Sequence, residues 1–292
     1  MSHVLTLIAK PLTNDHVHLA KSLLPGNSHI DWLAEGTACD LFFDAAQHGI
    51  MDQVRGALGD VPVDLFCQPI GGTRRKKLLV ADMDSTIITA ECIDEMADLL
   101  GLKDKVAKIT KRAMAGELDF SAALRERASM LKGLSKNDLQ YVYDQRIRLT
   151  PGARQLVATM TANGAYTALV SGGFTYFTQR VAAADGIDHH KANKLQFSDC
   201  QLTGAIAEQI LGSSEKLAAL QALSAQRNLE TGNILAVGDG ANDLEMIGAA
   251  GLGVAFHAQP IVAQAAPARI NHNDLTALLY LQGYRDSQIR EL

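Results

Sequence analysis

From residue 77 onward, short apolar runs alternate with longer stretches that have helical periodicity. Apolar runs of four or five residues, bounded by polar or glycine residues, predict strands that are buried on both faces of a sheet. These runs are Leu78–Ala81, Tyr166–Val170, Ile234–Val237 and Leu252–Phe256, and helical stretches such as Pro151–Asn163 and Ser214–Arg227 separate them. Strands that alternate with helices predict an α/β class domain over residues 77–292, with a Rossmann-like, doubly wound parallel sheet.

Between the first two of these strands, residues 91–149 have a pattern that is nearly all helical. This segment is too long for a simple connection between neighbouring parallel strands. We therefore predict that it is a helical cap inserted into the α/β domain.

Residues 1–72 form a second predicted unit of the α+β class. The pattern predicts strands at Val4–Ala9, His29–Leu33, Ala38–Phe43 and Val63–Cys67, with helices at Asn14–Leu24 and His48–Leu58. Asn14 is the candidate N-cap of the first helix. The order β-α-β-β-α-β is that of a ferredoxin-like domain. Gly71–Thr73 and the basic run Arg74–Lys77 then predict a linker.

Composition excludes several classes of protein. The chain has 292 residues, 47% hydrophobic and 20% charged, with a net charge of −5, which fits a globular protein and excludes a disordered one. Arg74–Lys77 is the one short basic run, so no nucleic-acid partner is expected. The four cysteines are far apart and form no C-x-x-C pair, which favours reduced thiols. With neither a signal-peptide pattern nor a bilayer-length apolar run, we expect a cytoplasmic protein without a membrane partner.

Polar clusters follow three of the predicted parallel strands. They are Asp82–Thr86, Ser171–Gly173 and Gly238–Asp243. Each cluster alone is typical of a turn or helix cap, and Lys216 alone would be a surface lysine. Together, at the carboxyl edge of one sheet, they predict crowded carboxylates that need a cation such as Mg²⁺. The glycines at 172 and 173 would offer backbone N–H groups to a phosphate.

These clusters resemble the motifs of the haloacid dehalogenase-like superfamily of phosphotransferases. The resemblance consists of DMDST at 82–86, Ser171, Lys216 and GDGAND at 238–243, and it covers Lys77 to Arg269. Glu91 and the cap segment Phe120–Lys132 resemble the branch that hydrolyses O-phosphoserine. The resemblance implies a phosphomonoesterase that forms an aspartyl-phosphate and catalyses the last step of serine biosynthesis.

The resemblance also implies a role for each motif residue. Asp82 would be the nucleophile and Asp84 the general acid and base. Mg²⁺ would be held by the Asp82 side chain, the Asp84 backbone carbonyl and Asp239, with Asp243 supporting the site. Ser171, the Gly172 N–H and Lys216 would hold the phosphoryl oxygens, and Asn242 would orient the site.

Two cap residues would select the substrate. Glu91 suits the ammonium of phosphoserine, and Arg127 suits its carboxylate. Arg125 is the weaker candidate because it points elsewhere on the same helix. Without the motifs, a solvated helix face or a salt bridge would be the favoured interpretation of Glu91 and Arg127. Met114 and Phe120 are candidates for the pocket lining or for the core.

Other functions stay open at this point. The chain could act on another small phosphate monoester, such as a homoserine or sugar phosphate. It could also be a regulator that senses an amino acid without catalysis, although intact motif residues argue against this. The N-terminal unit resembles ACT-type modules, which implies an amino-acid effector such as L-serine or a homodimer contact. A simple packing role is equally compatible with its pattern.

Overall fold

The computed structural model describes residues 1–44, 49–207 and 209–291. Its strands are β1 (His3–Ile8), β2 (His29–Ala34), β3 (Ala38–Phe43), β4 (Asp64–Pro69), β5 (Leu78–Ala81), β6 (Tyr166–Phe174), β7 (His189–Asn193), β8 (Leu195–Ser198), β9 (Gln201–Ile206), β10 (Ile234–Gly238), β11 (Leu252–Phe256) and β12 (Ala268–Ile270). Its α-helices are α1 (Asn14–Ser22), α2 (Ile50–Leu58), α3 (Cys92–Asp98), α4 (Lys103–Met114), α5 (Phe120–Ser129), α6 (Lys136–Arg146), α7 (Ala153–Ala162), α8 (Thr175–Asp185), α9 (Ser213–Gln226), α10 (Leu244–Ala249), α11 (Pro260–Ala265) and α12 (Ala277–Leu281).

The N-terminal segment forms a four-stranded antiparallel sheet with the order β2-β3-β1-β4. Apolar side chains on one face of this sheet share a buried cluster with α1 and α2, and on the other face Ile8 and Ala38 join the main core. The ferredoxin-like prediction is confirmed. The predicted N-cap is wrong, because the extended residue Thr13, not Asn14, accepts the backbone N–H of His16. His48, predicted to begin the second helix, lies outside the described residues.

The second sheet has six parallel strands in the order β12-β11-β10-β5-β6-β7. The strand β5 begins and ends where the sequence predicted. Its side chains alternate between two buried clusters, with Leu79 and Ala81 on one face and Leu78 and Val80 on the other. A strand with helices on both faces buries every side chain, which explains its unbroken apolar run. This confirms the doubly wound α/β prediction.

The helices α3 to α6 are inserted between β5 and β6, as the sequence predicted. The two connections between this cap and the sheet run side by side. The Thr89 N–H donates to the Arg148 carbonyl at 3.0 Å, and the Thr150 N–H donates to the Ile87 carbonyl at 2.9 Å. A hairpin of β8 and β9 also reaches the cap, where Leu202 exchanges backbone hydrogen bonds with Gly133 and Leu134. Among the described residues, no helix has the length and apolar character needed to cross a membrane.

Part of the basic run Arg74–Lys77, which we predicted to belong to a linker, makes structural contacts. Arg74 Nη1 and Nη2 donate to the two carboxylate oxygens of Asp40 at 2.6 and 2.9 Å, and Arg74 Nε donates to the Leu281 carbonyl. Lys76 is buried and donates to backbone carbonyls. Arg74 therefore joins the antiparallel sheet to α12.

Replacing Arg74 with Met is expected to lower the free energy of unfolding by about 3 kcal/mol, because it leaves a buried charge without its partner. The side chain of Asp40 is 0% exposed, so water cannot take the place of the guanidinium. Urea denaturation measures the loss. Arg75→Met is the matched control, since among the described residues Arg75 makes an exposed hydrogen bond to Gln288, a ring contact with Tyr284 and no other contact of these kinds. Equal losses in the two variants would contradict the account.

Asp185, at the end of α8, is a buried acid whose ionisation affects the stability of the fold. Its side chain is buried, and neither carboxylate oxygen has a hydrogen-bond partner among the described residues. Burial raises its pKa from 3.8 to about 6, although Arg154 opposes the shift. Between those two pH values the folded chain holds a proton that the unfolded chain has released. Stability from this group is therefore greatest at low pH and is lost as the pH rises through about 6.

The Asp185→Asn variant is expected to unfold with a free energy about 1–2 kcal/mol higher than the original chain at pH 8. The gap should close near pH 3, which is below both pKa values, because the carboxyl is then protonated in both states. Urea denaturation of both proteins at the two pH values measures it. An advantage of the same size at both pH values would mean that the charge of Asp185 is not the cause.

Candidate active site

The carboxyl ends of three neighbouring strands bring the predicted polar clusters together. Asp82 follows β5, Ser171 lies in the last part of β6, and Asp239 follows β10. Because β5 lies between β6 and β10 in the sheet, these residues meet above one edge. Seven of the predicted site residues line one cavity beneath the cap, namely Asp82, Asp84, Glu91, Arg127, Ser171, Gly172 and Asn242.

A tight turn after β5 sets the two catalytic candidates side by side. Asp84 Oδ1 accepts the Cys92 N–H at 2.8 Å, and the Ser171 hydroxyl lies 3.4 Å from Asp84 Oδ2. Ser85 has a left-handed backbone (φ 54°), which reverses the chain direction after the two aspartates. Burial and the neighbouring Asp82 carboxylate raise the pKa of Asp84 to about 6. The turn therefore holds Asp82 at the end of β5 and Asp84 next to the first residue of α3.

Lys216 is fully buried at the start of α9 and contacts two of the aspartates. Its Nζ lies 2.9 Å from Asp82 Oδ1 and donates to Asp243 Oδ1 at 2.5 Å. Burial alone would lower the pKa of this lysine, but the two carboxylates raise it above its ordinary value. Lys216 is thus a fixed cation beside the candidate nucleophile, and the surface interpretation is wrong.

Carboxylate oxygens of Asp82, Asp239 and Asp243 lie within 4.8 Å of one another. Burial, and then the other acidic groups, raise the pKa of Asp239 well above its usual value, so a cation beside Lys216 would be needed to keep all three carboxylates ionised. Oxygen donors at this spacing suit a hard cation. Asp243 Oδ2 also accepts the backbone N–H groups of Asp239 and Gly240, which fits a supporting role for this residue. The residues present therefore fit a metal ion.

A glycine pair forms the wall of the cavity next to Ser171. A Cβ on Gly172 would lie 2.5 Å from the Phe120 ring, and a Cβ on Gly173 would lie 2.5 Å from Asp84 Oδ2. Only glycine leaves room there for the cap and the acid. Asn193 fixes this wall, because its side chain donates to the Gly172 carbonyl and accepts the Leu211 N–H. Sequence reasoning missed Asn193, since both of its contacts are distant along the chain.

The cap contributes charged and apolar groups to the other side of the cavity. The Ser85 hydroxyl donates to Glu91 Oε1 at 2.6 Å, and burial and the Asp84 charge raise the pKa of Glu91 to about 8. Arg127 is buried and lines the cavity, whereas Arg125 is exposed on the same helix. Met114 and Phe120 also line the cavity, together with Ile93, Leu124 and Phe174, which the sequence did not single out.

The enclosed space is small, about 30 Å³, which is room for about two waters. A ligand larger than that would need more room, through movement of the lining side chains or of the cap relative to the sheet. The paired connections near Ile87 and Thr150 are the covalent links about which such a movement would occur.

A sequence profile of haloacid dehalogenase-like hydrolases matches residues 79–248. The chain belongs to this family. It is 41% identical over 236 residues to a phosphoserine phosphatase from Archaeoglobus fulgidus, across 80% of this chain and 68% of that protein. The relatives place the chain among the phosphatases of the haloacid dehalogenase-like hydrolases.

Two solved structures of this family are similar to the chain over different lengths. A haloacid dehalogenase family hydrolase from Salmonella enterica serovar Typhi superposes with a TM-score of 0.85 and 33% identity, across 98% of this chain and 99% of that one. A substrate-bound phosphoserine phosphatase superposes with a TM-score of 0.68 and 36% identity, across 70% of this chain and 98% of that one. The Salmonella hydrolase thus shares the whole architecture, including the N-terminal sheet.

Proposed function

We propose that this chain is a Mg²⁺-dependent phosphomonoesterase that hydrolyses O-phospho-L-serine to L-serine and phosphate. The observation that carries the proposal is that two sets of polar side chains face each other across one cavity. Asp82 lies on the side of the sheet, in contact with Lys216. On the side of the cap, the acid Glu91 and the cation Arg127 line the cavity, and a bound ammonium would favour the ionised form of Glu91. Phosphoserine has a phosphoryl group at one end and an ammonium and a carboxylate at the other, so it complements both sides.

In the proposed reaction, Asp82 and Asp84 act in two steps. A carboxylate oxygen of Asp82 attacks phosphorus while the ester P–O bond breaks, and Asp84 gives its proton to the departing serine oxygen. Asp84, now ionised, takes a proton from a water that attacks the aspartyl-phosphate. The bond between phosphorus and Asp82 then breaks, and phosphate leaves.

The neighbouring groups hold the phosphoryl oxygens during both steps. Ser171, the Gly172 N–H and Lys216 would donate to these oxygens, and Asn242 would orient them. Asp82, the Asp84 backbone carbonyl and Asp239, with Asp243 in support, would hold Mg²⁺. Bound there, the metal supplies positive charge to the phosphoryl oxygens.

A phosphate-release assay with a panel of esters tests the proposal. The panel is O-phospho-L-serine, homoserine phosphate and a sugar phosphate, each with Mg²⁺ and with a chelator. We expect turnover of phosphoserine to be at least about tenfold faster than that of the others. The sugar phosphate lacks the carboxylate and the ammonium, and homoserine phosphate is one methylene longer, so it cannot place both of its ends as phosphoserine does. We expect the chelator to stop release and added Mg²⁺ to restore it. Preference for another ester would assign the chain a different substrate, and no release at all would favour a non-catalytic regulator.

The cellular role is also part of the proposal. The reaction would be the last step of serine biosynthesis and would take place in the cytoplasm, which agrees with four free cysteines. The division into units 1–72 and 77–292, with a cap at 91–149, stays a prediction. So does the role of the N-terminal unit as an ACT-like regulatory or dimerisation domain with an amino-acid effector such as L-serine. Its four-stranded antiparallel sheet supports that prediction.

A further inference from the structure

Three helices of the cap meet at a buried chain of polar side chains. Arg127 Nη1, on α5, donates to Thr110 Oγ1, on α4, at 2.9 Å. The Thr110 hydroxyl donates to Asp94 Oδ1, on α3, at 2.6 Å. All three residues are buried, and Arg127 lines the cavity. These side chains therefore connect Arg127, which lines the cavity, to the Asp94 carboxylate through the Thr110 hydroxyl.

The chemistry of the hydroxyl fixes the direction of this chain. A guanidinium can only donate and an ionised carboxylate can only accept, so Thr110 must accept from Arg127 and give its one proton to Asp94. The competing acceptor, the Val106 carbonyl in the same helix, is farther away at 3.2 Å. A short bond to a charged acceptor is the stronger of the two. Thr110 is thus held in one rotamer by the carboxylate behind it.

The same contacts limit the freedom of Arg127. Its Nε donates to the Ala123 carbonyl at 3.2 Å, and its Nη1 donates to Thr110, so two of its five N–H groups are held by the cap. An arginine side chain has several rotatable bonds, and holding it before the ligand arrives removes an entropy cost of binding. Burial disfavours the charged guanidinium and lowers its pKa, and the carboxylates of Glu91 and Asp94 oppose this effect.

We infer that Thr110 and Asp94 are positioning residues that orient the Arg127 guanidinium toward the carboxylate of the substrate. This inference rests on the proposed function and deepens it, because it assigns the selectivity for a carboxylate to three residues instead of one. The competing interpretation is that these three hydrogen-bonded side chains only hold α3, α4 and α5 together. In that case their loss would affect every substrate alike, since a displaced cap would disturb the whole site.

Two substrates that differ by one group separate these interpretations. O-phosphoethanolamine has the phosphoryl and ammonium groups of phosphoserine and lacks the carboxylate. In Thr110→Val, we expect the KM for phosphoserine to rise about tenfold with kcat little changed, while kcat/KM for phosphoethanolamine stays within about twofold. Thr110→Ser keeps the hydroxyl and should restore the KM. In an Arg127→Ala background, Thr110→Val should have no further effect on phosphoserine.

The outcomes separate this inference from the proposed function. Equal losses on both substrates, or a Thr110→Ser variant as impaired as Thr110→Val, would overturn the positioning role and leave the proposed function intact. If the unaltered chain released phosphate from other esters and not from phosphoserine, both would fall. Should Thr110→Val fail to fold, Asp94→Asn provides the same comparison, because an amide holds the threonine proton less strongly. It should lower the preference for phosphoserine over phosphoethanolamine, and an unchanged preference would overturn the inference.

Discussion

Replacing Asp82 with Asn is expected to lower kcat for phosphoserine by about 10⁴-fold or more, because an amide cannot serve as the nucleophile. The substitution keeps the shape of the side chain and removes its negative charge. Lys216 still donates to Asp243 at 2.5 Å, so the buried lysine keeps a partner. Phosphate release under saturating substrate and Mg²⁺ measures the loss.

The fold of the Asp82→Asn variant should remain, since the substitution also relieves repulsion among the crowded carboxylates. We expect its thermal midpoint to equal or exceed that of the original chain. Asp60→Asn is the matched control, because Asp60 is an exposed aspartate in the connection between α2 and β4 and the variant should keep full activity. A variant at residue 82 that retained more than about a tenth of the activity would show that another group attacks phosphorus.

Replacing Arg127 with Ala is expected to lower kcat/KM for phosphoserine by about 10³-fold, near 4 kcal/mol. Arg127 is 4% exposed, so the carboxylate of the substrate would lose a cation in a place that water reaches poorly. For p-nitrophenyl phosphate, which has neither a carboxylate nor an ammonium, the same variant should be nearly as active as the original chain. Steady-state kinetics on both substrates measures the difference.

Arg125→Ala is the control for this substitution, because it removes an exposed arginine from the same helix. It should leave both substrates unaffected. Glu91→Ala should reproduce the selective loss through the ammonium of the substrate. If Arg127→Ala lost activity equally on both substrates, the arginine would support the cap rather than the carboxylate.

The sequence alone could predict the parallel sheet and the acidic site at its edge. The strand β5 is buried on both faces, so its apolar run marked both of its ends. Once the strands are parallel and neighbouring, the residues at their carboxyl ends must meet, and Asp82, Asp239 and Ser171 do so. Local pattern and topology together therefore sufficed for these residues.

The parts that the sequence did not predict depend on contacts between distant residues. Arg74 lies in a run that is typical of a linker, and only the fold brings it to Asp40. Thr110 and Asn193 act through partners on other elements, so no local motif marks them. The hairpin of β8 and β9 turns through Asp199 and Cys200, which have positive φ angles of 49° and 64° but are not the glycine-containing pair that signals such a turn.

Transfer of the phosphoryl group to Asp82 is the central step of the proposed reaction, and a rapid-quench single turnover tests it directly. Excess protein is mixed with radiolabelled O-phospho-L-serine and Mg²⁺ and stopped in acid at early times, and labelled peptides are then sequenced by mass spectrometry. We expect label to appear on Asp82 before free phosphate is released and to disappear as phosphate accumulates. Phosphate released without label on the protein at any time, or label on another residue such as Asp243, would contradict the account.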